Sequence, residues 1–456
     1  MYVFTYIETI KMFLCVFLQR HNIIRTNEYM PKRITTIVGA GAVLDFEFSS
    51  PGALFPSTQN ITKEIIDLKV QGLYNDTSDI INDVFTLACN SLTALYEKRD
   101  LHCHYELNFE ELYFLIESVM TFCPTGIEHT TPKYYPILSS LIKVSDELTK
   151  YPYIEYVRAL NIIVAKIVNI IDTYDTHFRD NPNSELWYRN FWHGNTNLKF
   201  DIFTFNYDTT IENSMIEYED GYNPIKDNKL GISYFDPKKL LTNSQKLSTI
   251  QHLHGCIYYS EYAPIECIKT HSNRDMFKMR TVQDALKQIG LQSDAQSQAR
   301  ESFLNSPILI GLRKLDKMIY MPNSIYHANL VNKLSSNKGL LIVGYSFGDL
   351  YVNQLIQRRL IMKGERHRMV IIDYFPEYIN SAVRVRRHIL DHRTNLYVFL
   401  KPFINFNFDD NFNYCGLKYS SYYNPIYSED KRIMLFICGF KKAVESHADL
   451  IIKHLS

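Results

Sequence analysis

Apolar residues in this chain fall into two patterns. Short runs that are apolar almost throughout, instead of alternating with polar residues, occur at Ile34–Val38, Lys199–Phe205, Leu247–Leu253, Gly339–Val343, Met369–Ile372 and Leu396–Leu400, with a weaker one at Ser306–Leu309. Strands buried on both faces read this way, as in a parallel sheet covered by helices. Between residue 61 and about residue 191 the spacing changes to three and four: Val157, Leu160, Val164, Ile167 and Ile171 form one stripe of a long amphipathic helix. In the same region Asn108 and Glu111 form a capping box, with Leu107 and Leu112 as its hydrophobic staple. Helical patterns return at Tyr326–Leu334, Tyr351–Leu360 and Phe440–Leu455, the last preceded by a strand at Ile433–Cys438.

This alternation predicts an α/β fold: a Rossmann-like parallel sheet with helices on both faces, a large helical insertion and a small C-terminal appendage. The expected boundaries are 30–60 and 196–400 for the sheet domain, 61–195 for the insertion and 401–456 for the appendage. Ser49–Asn60, with Pro51, Gly52 and Pro56, is expected as a mobile loop, and Arg274–Ser302 as a polar, exposed insertion. Residues 1–29 are expected to be an upstream or peripheral extension, since Met30-Pro-Lys-Arg stands directly before the first strand.

Composition adds exclusions. Lys+Arg and Asp+Glu balance at 49 each, without the basic excess that phosphate contacts demand, so nucleic acid is not expected as the ligand. The eight cysteines include no C-x-x-C pair, which indicates neither a disulfide framework nor a thiolate zinc site, and fits reduced cysteines in the cytoplasm. Met12–Leu18 is apolar but far below the ~20 residues that span a bilayer, so no membrane association is expected. His102-Cys103-His104 lacks partners at ligand spacing, and no metal is expected.

The candidate chemistry lies where strands end. Gly39-Ala40-Gly41 follows the first strand, where backbone N–H groups could approach a phosphate or simply form a turn; Leu44 stands where a dinucleotide fingerprint has its third glycine. Gly344-Tyr-Ser-Phe-Gly-Asp349 is a second such turn, and its Gly344-x-Ser346-x-Gly348 spacing also fits a nucleophile elbow, with Asp373 and His388 downstream as nominal partners. Asn206, Tyr207 and Asp208 follow the strand at Lys199–Phe205; Thr209 and Glu212 read as a capping box that starts a helix. His252 and His254 close the strand at Leu247–Leu253 and share one face if the strand continues through both, with Gly255 leaving space beside the imidazole.

In this order, Val38–Ala42, Thr204–Asp208, His252–Gly255 and Val343–Asp349 resemble the sirtuin-like domains of the silent-information-regulator superfamily, and most closely its bacterial anti-phage defence branch. The resemblance implies a Rossmann-like NAD domain in which Gly39, Ala40, Gly41, Asp45, Gly344 and Ser346 hold the cofactor, with Asp373 near the adenosine end. It implies that Asn206 orients water at the nicotinamide ribose, Asp208 lies near the nicotinamide amide, and His254 is the general base at the ribose hydroxyls. The implied activity is NAD hydrolysis to ADP-ribose and nicotinamide in abortive-infection defence, by a homo-oligomer working with a sensor or ATPase protein. The four-cysteine zinc module of the deacylases is missing. A non-catalytic NAD or ADP-ribose binding module, and a serine hydrolase using Ser346, stand as alternatives.

Overall fold

The computed structural model describes residues 32–47, 57–68, 77–97, 108–122, 151–193, 198–225, 231–242, 246–260, 275–287, 306–311, 318, 320–363, 367–374, 423–428 and 430–456. The expectations for residues 1–29, the His102–His104 tripeptide, the strand at Leu396–Leu400 and His388 lie outside them, as do residues 49–56 of the loop, Leu107 of the staple, and residues 274 and 288–302 of the polar insertion.

Five of the runs predicted as buried strands join the predicted strand at Ile433–Cys438 and two short strands that the sequence pattern did not announce in one eight-stranded sheet. Its strands are β1 (Lys32–Val38), β2 (Leu198–Thr204), β3 (Tyr218–Glu219), β6 (Ser248–His252), β9 (Gly339–Val343), β10 (Arg368–Ile372), β11 (Ile426–Tyr427) and β12 (Ile433–Phe436), in the order β11-β12-β10-β9-β1-β2-β6-β3. Every pairing is parallel except β11 with β12. Near-total burial of β1, β2, β6 and β9 explains their unbroken apolar runs. One buried carboxylate interrupts them. Asp201 of β2, fully buried, is held by Arg33 at 2.6 Å and Lys333 at 3.2 Å. Burial opposes its ionisation, but Arg33 and Lys333 outweigh that and keep its carboxyl below the usual range.

The sheet runs β1, β2, β6 in one direction and β9, β10, β12 in the other. The order therefore reverses between β1 and β9, the topological switch point where open α/β sheets bind ligands at their carboxyl edge. The register aligns that edge: His252, Thr204, Val38, Val343 and Ile372 are successive partners across five strands.

The described parts of the insertion are helical, with α1 (Thr58–Ile66), α2 (Thr77–Glu97), α3 (Phe109–Phe122), α4 (Tyr153–Asp180) and α5 (Leu186–His193). Ser57 caps α1 by accepting the Asn60 N–H, and Asn108 caps α3 by accepting the Glu110 N–H. The predicted stripe of α4 is buried from Val157 to Ile171. A second, antiparallel sheet joins β4 (Tyr222–Pro224), β5 (Ser233–Phe235), β8 (Phe277–Lys278) and β7 (Tyr259–Ser260). Short helices α6 (Pro237–Thr242) and α7 (Val282–Leu286) lie in the same part of the chain, so the polar insertion begins with a strand and a helix, its Asp275 and Met276 buried. Helices α8 (Asn323–Ser336) and α9 (Leu350–Lys363) bracket β9 as predicted.

Two expectations need correction. Ser306–Leu309 is no strand; it forms one isolated bridge, Ile308 to Gly255. The described end of the chain is not an appendage but part of the main sheet: β12 pairs with β10, and α10 (Phe440–Leu455) packs on β9 and β10. Its Phe436 accepts the Asp373 N–H at 2.9 Å, tying the C-terminal strand to the sheet's carboxyl edge.

Candidate active site

A cavity of about 1290 Å³ opens at the aligned carboxyl edge, large beside typical ligand pockets of roughly 300–1,000 Å³. Nine of the ten anticipated residues line it: Gly39, Ala40, Gly41, Asn206, Asp208, His254, Gly344, Ser346 and Asp373. The register explains the convergence, because each sits one to four residues beyond the line that ends β1, β2, β6, β9 and β10. Asp45 is absent from the lining. Its carboxylate accepts the Lys441 N–H at 2.9 Å at the start of α10, so it caps that helix.

The two glycine turns meet each other across the switch point. Gly39 N–H donates to Val343 O at 2.9 Å and Gly41 N–H to Gly344 O at 3.0 Å. These two amides are therefore spent inside the protein, and the turn offers a ligand a surface free of side chains. A Cβ on Gly39 or Gly41 would meet Gly344 backbone atoms at 2.6 and 2.7 Å, so contact between turns demands these glycines as strongly as ligand approach does.

Asn206 is buried, and its main chain is fully committed: the N–H donates to Thr204 Oγ1 at 3.0 Å and the carbonyl accepts from His252 Nδ1 at 3.0 Å. Its side-chain Oδ1 has no hydrogen-bond partner among the described residues. An unsatisfied buried amide oxygen costs about 1–3 kcal/mol, so a native protein that keeps one at a cavity wall has a use for it.

The two histidines separate. His252 ends β6, whereas Leu253 and His254 form a turn, so the shared-face expectation fails. His252 Nε2 lies 2.6 Å from Glu212 Oε1 while Nδ1 faces the Asn206 carbonyl. Both ring nitrogens face oxygen atoms that can accept, an arrangement the doubly protonated imidazolium satisfies. Burial disfavours that charge, but Glu212 and the Asn206 carbonyl prevail and hold His252 above its usual value. His252 supports Asn206 and is not a base. His254 lines the cavity instead, its ring edge-on to Phe205 with centroids 4.7 Å apart. The space beside Gly255 is not open to the imidazole, because a Cβ there would strike Pro307 O at 2.2 Å and φ is +86°.

The capping box at Thr209 is also corrected. No α-helix follows; Glu212–Ser214 is a single 3-10 turn. Asp175 arrives from α4 and takes both the Thr209 N–H and its Oγ1–H at 2.7 Å, and Glu212 belongs to His252. Asp208 Oδ1 accepts the Thr210 N–H and hydroxyl at 3.1 and 2.6 Å, so one of its oxygens is structural.

Burial, and then the charge of Asp208, push the Asp175 carboxyl up to about 7. The native state thus keeps a proton that the unfolded chain releases near pH 4, and stability falls as pH rises from about 4 to 7. His252, raised in the native state, adds a loss of the same sign as pH climbs through its folded value. Asp175→Asn retains one oxygen to accept the Thr209 N–H, its amide N–H donating to Thr209 Oγ1 in place of the second bond, and is expected to flatten this decline, exceeding wild type at pH 8 by on the order of 2 kcal/mol. Chemical denaturation at pH 5 and pH 8 reads the difference; equal pH dependence in both proteins would contradict it.

Sequence reasoning missed several participants. The far wall comes from Thr58 and from the insertion, through Ile61, Asn108, Phe109, Glu110 and Phe114, which no local pattern announces. Asp349 also lines the cavity, with Oδ2 3.4 Å from His254 Nε2; its place at the end of the second glycine motif was the available signal. The nucleophile elbow gains no support. The strained backbone falls on Phe347 (φ 56°) and Gly344 (φ 58°) and not on Ser346, and among the described residues no histidine hydrogen-bonds Ser346. Among the described residues there is also no His/Cys/Asp/Glu group able to hold a metal ion, and no helix is long and apolar enough to cross a membrane.

A mostly parallel sheet with a reversed strand order, two facing glycine turns and polar side chains at the switch point place the protein in the Rossmann-like α/β class. Residues 201–396 match the family model of the SIR2-like domain. The match supports a sirtuin-like domain over those residues, and SIR2-like domains bind NAD. The match begins within β2 and contains Asn206, His254 and the Gly344–Asp349 turn. No curated protein matches the chain.

Proposed function

We propose that the cavity binds NAD and that the protein hydrolyses it to ADP-ribose and nicotinamide. The observation that carries this reading is the buried Oδ1 of Asn206, which has no partner among the described residues, on the same cavity as His254. In the reaction the bond between ribosyl C1 and the nicotinamide nitrogen breaks, and its electron pair leaves with nicotinamide. Water then bonds to C1 and releases a proton. Positive charge develops on the ribose meanwhile, so the protein must place a nucleophile and remove protons without a competing cation. Asn206 orients the water by accepting its hydrogen bond, an amide that does not titrate. His254 takes the proton of a ribose hydroxyl, as an imidazole that titrates at ~6.5 in water can at neutral pH.

The Gly39–Gly41 and Gly344–Ser346 turns seat the diphosphate and ribose, Asp208 faces the nicotinamide amide, and Asp373 takes the adenosine end. The defence role, in which NAD is depleted to abort phage growth, follows from the likeness of these motifs to the defence-associated branch. It carries with it self-association and a sensor or ATPase partner. The test is NAD consumption by purified protein, alone and in cells challenged with phage, with products identified by chromatography. Free nicotinamide and ADP-ribose are expected. Bound NAD that is never consumed would instead make this a binding module.

A further inference from the structure

His254 has a carboxylate behind it. Asp349 Oδ2 lies 3.4 Å from His254 Nε2, and the two arrive from separate elements, the turn after β6 and the residue before α9. The other oxygen of Asp349 is occupied: Oδ1 accepts the Val352 N–H at 3.1 Å and caps α9. One carboxylate therefore anchors to a helix and faces an imidazole at the same time. The surroundings fix both groups. Phe205 meets the His254 ring edge-on and stacks on Tyr345 at 5.0 Å, and the Tyr345 hydroxyl donates to the Asp349 carbonyl at 3.1 Å.

We propose that Asp349 is the positioning residue of His254, fixing the tautomer with a proton on Nε2 and stabilising the imidazolium that forms during turnover. This rests on the NAD-hydrolase reading of the site. With Nε2 donating to Asp349, Nδ1 is the nitrogen that accepts the ribose proton. The O–H bond of the ribose hydroxyl breaks, an N–H bond forms on the imidazole, and the electron pair stays on the ribose oxygen. A separation of 3.4 Å is long for a hydrogen bond, and catalytic pairs of this kind tighten when substrate closes the site.

Other groups facing the pair do not take over this task. His327 on α8 is driven down to about 4 by burial and by His254, and stays neutral over the working range. Tyr345 is spent on the Asp349 carbonyl and on Asn353. Tyr351 and the exposed Arg358 lie along α9. Burial works against the Asp349 charge, but His254 and the Val352 N–H keep its carboxyl below the usual range.

Asp349→Asn separates the two duties of this side chain, because Asn caps a helix as well as Asp does while carrying no charge. In histidine-labelled protein, the His254 signal, assigned by its loss in His254→Ala, is expected to titrate about one pH unit lower in Asp349→Asn. NAD turnover is expected to fall about 10²-fold or more in kcat, with KM within about twofold and the melting temperature unchanged. An unmoved His254 titration would overturn the proposal. So would a raised KM at unchanged kcat, which would make Asp349 a ligand-binding group. Wild type that binds NAD without consuming it sinks the hydrolase reading alone, and the titration still decides the pair. Active wild type with an indifferent Asp349→Asn sinks the pair alone.

Discussion

Asn206→Ala is expected to lower NAD hydrolysis by about 10²–10³-fold in kcat, the loss seen when one preorganised polar group is removed from a reacting centre. The fold has little to lose by this change. The structural bonds of Asn206 run through its main chain, to Thr204 Oγ1 and from His252, and alanine keeps both. Its Oδ1 makes no bond among the described residues, so truncation removes a desolvated oxygen and costs that atom no described partner. A melting temperature at or above that of wild type should therefore accompany the loss of activity. This combination distinguishes a catalytic amide from a structural one, which would lose stability first. Steady-state kinetics with products quantified, beside thermal melts of both proteins, provides the measurement. Consumption within about twofold of wild type would remove Asn206 from the reaction.

Much of this site was legible because a strand buried on both faces advertises itself as an unbroken apolar run, and its carboxyl end can be counted. Ile34–Val38, Gly339–Val343 and Met369–Ile372 located three of the five strand ends to the residue, Lys199–Phe205 and Leu247–Leu253 the other two to within one, and the register did the rest. What failed were local patterns whose partners come from elsewhere. Thr209 and Glu212 have capping-box spacing, but Asp175, distant in sequence, takes the Thr209 N–H and His252 takes Glu212. Asp45 reads as part of the first glycine turn until α10 arrives from the far end of the chain to claim its carboxylate. The two histidines shared a face only while the strand was assumed to continue past His252. The wall made by α1 and α3 is a tertiary fact with no signature in the spacing of Asn108 or Phe114.

Gly344→Ala is expected to be the most damaging single substitution at the switch point. Gly344 has φ +58°, where an L side chain costs roughly 1–2 kcal/mol by itself. Its Cβ would also stand 2.1 Å from Ala42 N and 2.2 Å from Gly41 C. Both are backbone atoms of the facing turn, so no rotamer change relieves the clash and one turn must move. That motion breaks the Gly41 N–H to Gly344 O bond and shifts the floor of the cavity. Strain and lost contacts together place the cost at about 3 kcal/mol or more, in the range reserved for forced backbone and core defects. Gly348→Ala, four residues on, is the matched control. Its Cβ would meet only Ser346 Oγ, at 3.4 Å, an ordinary contact at unstrained φ, and stability should change by no more than about 0.5 kcal/mol. Denaturation midpoints and NAD binding of the two variants separate the explanations. If both tolerate alanine, the facing turns are more pliable than this packing allows. If both fail, the segment is sensitive to any side chain, and the contact between the two glycine turns loses its special standing.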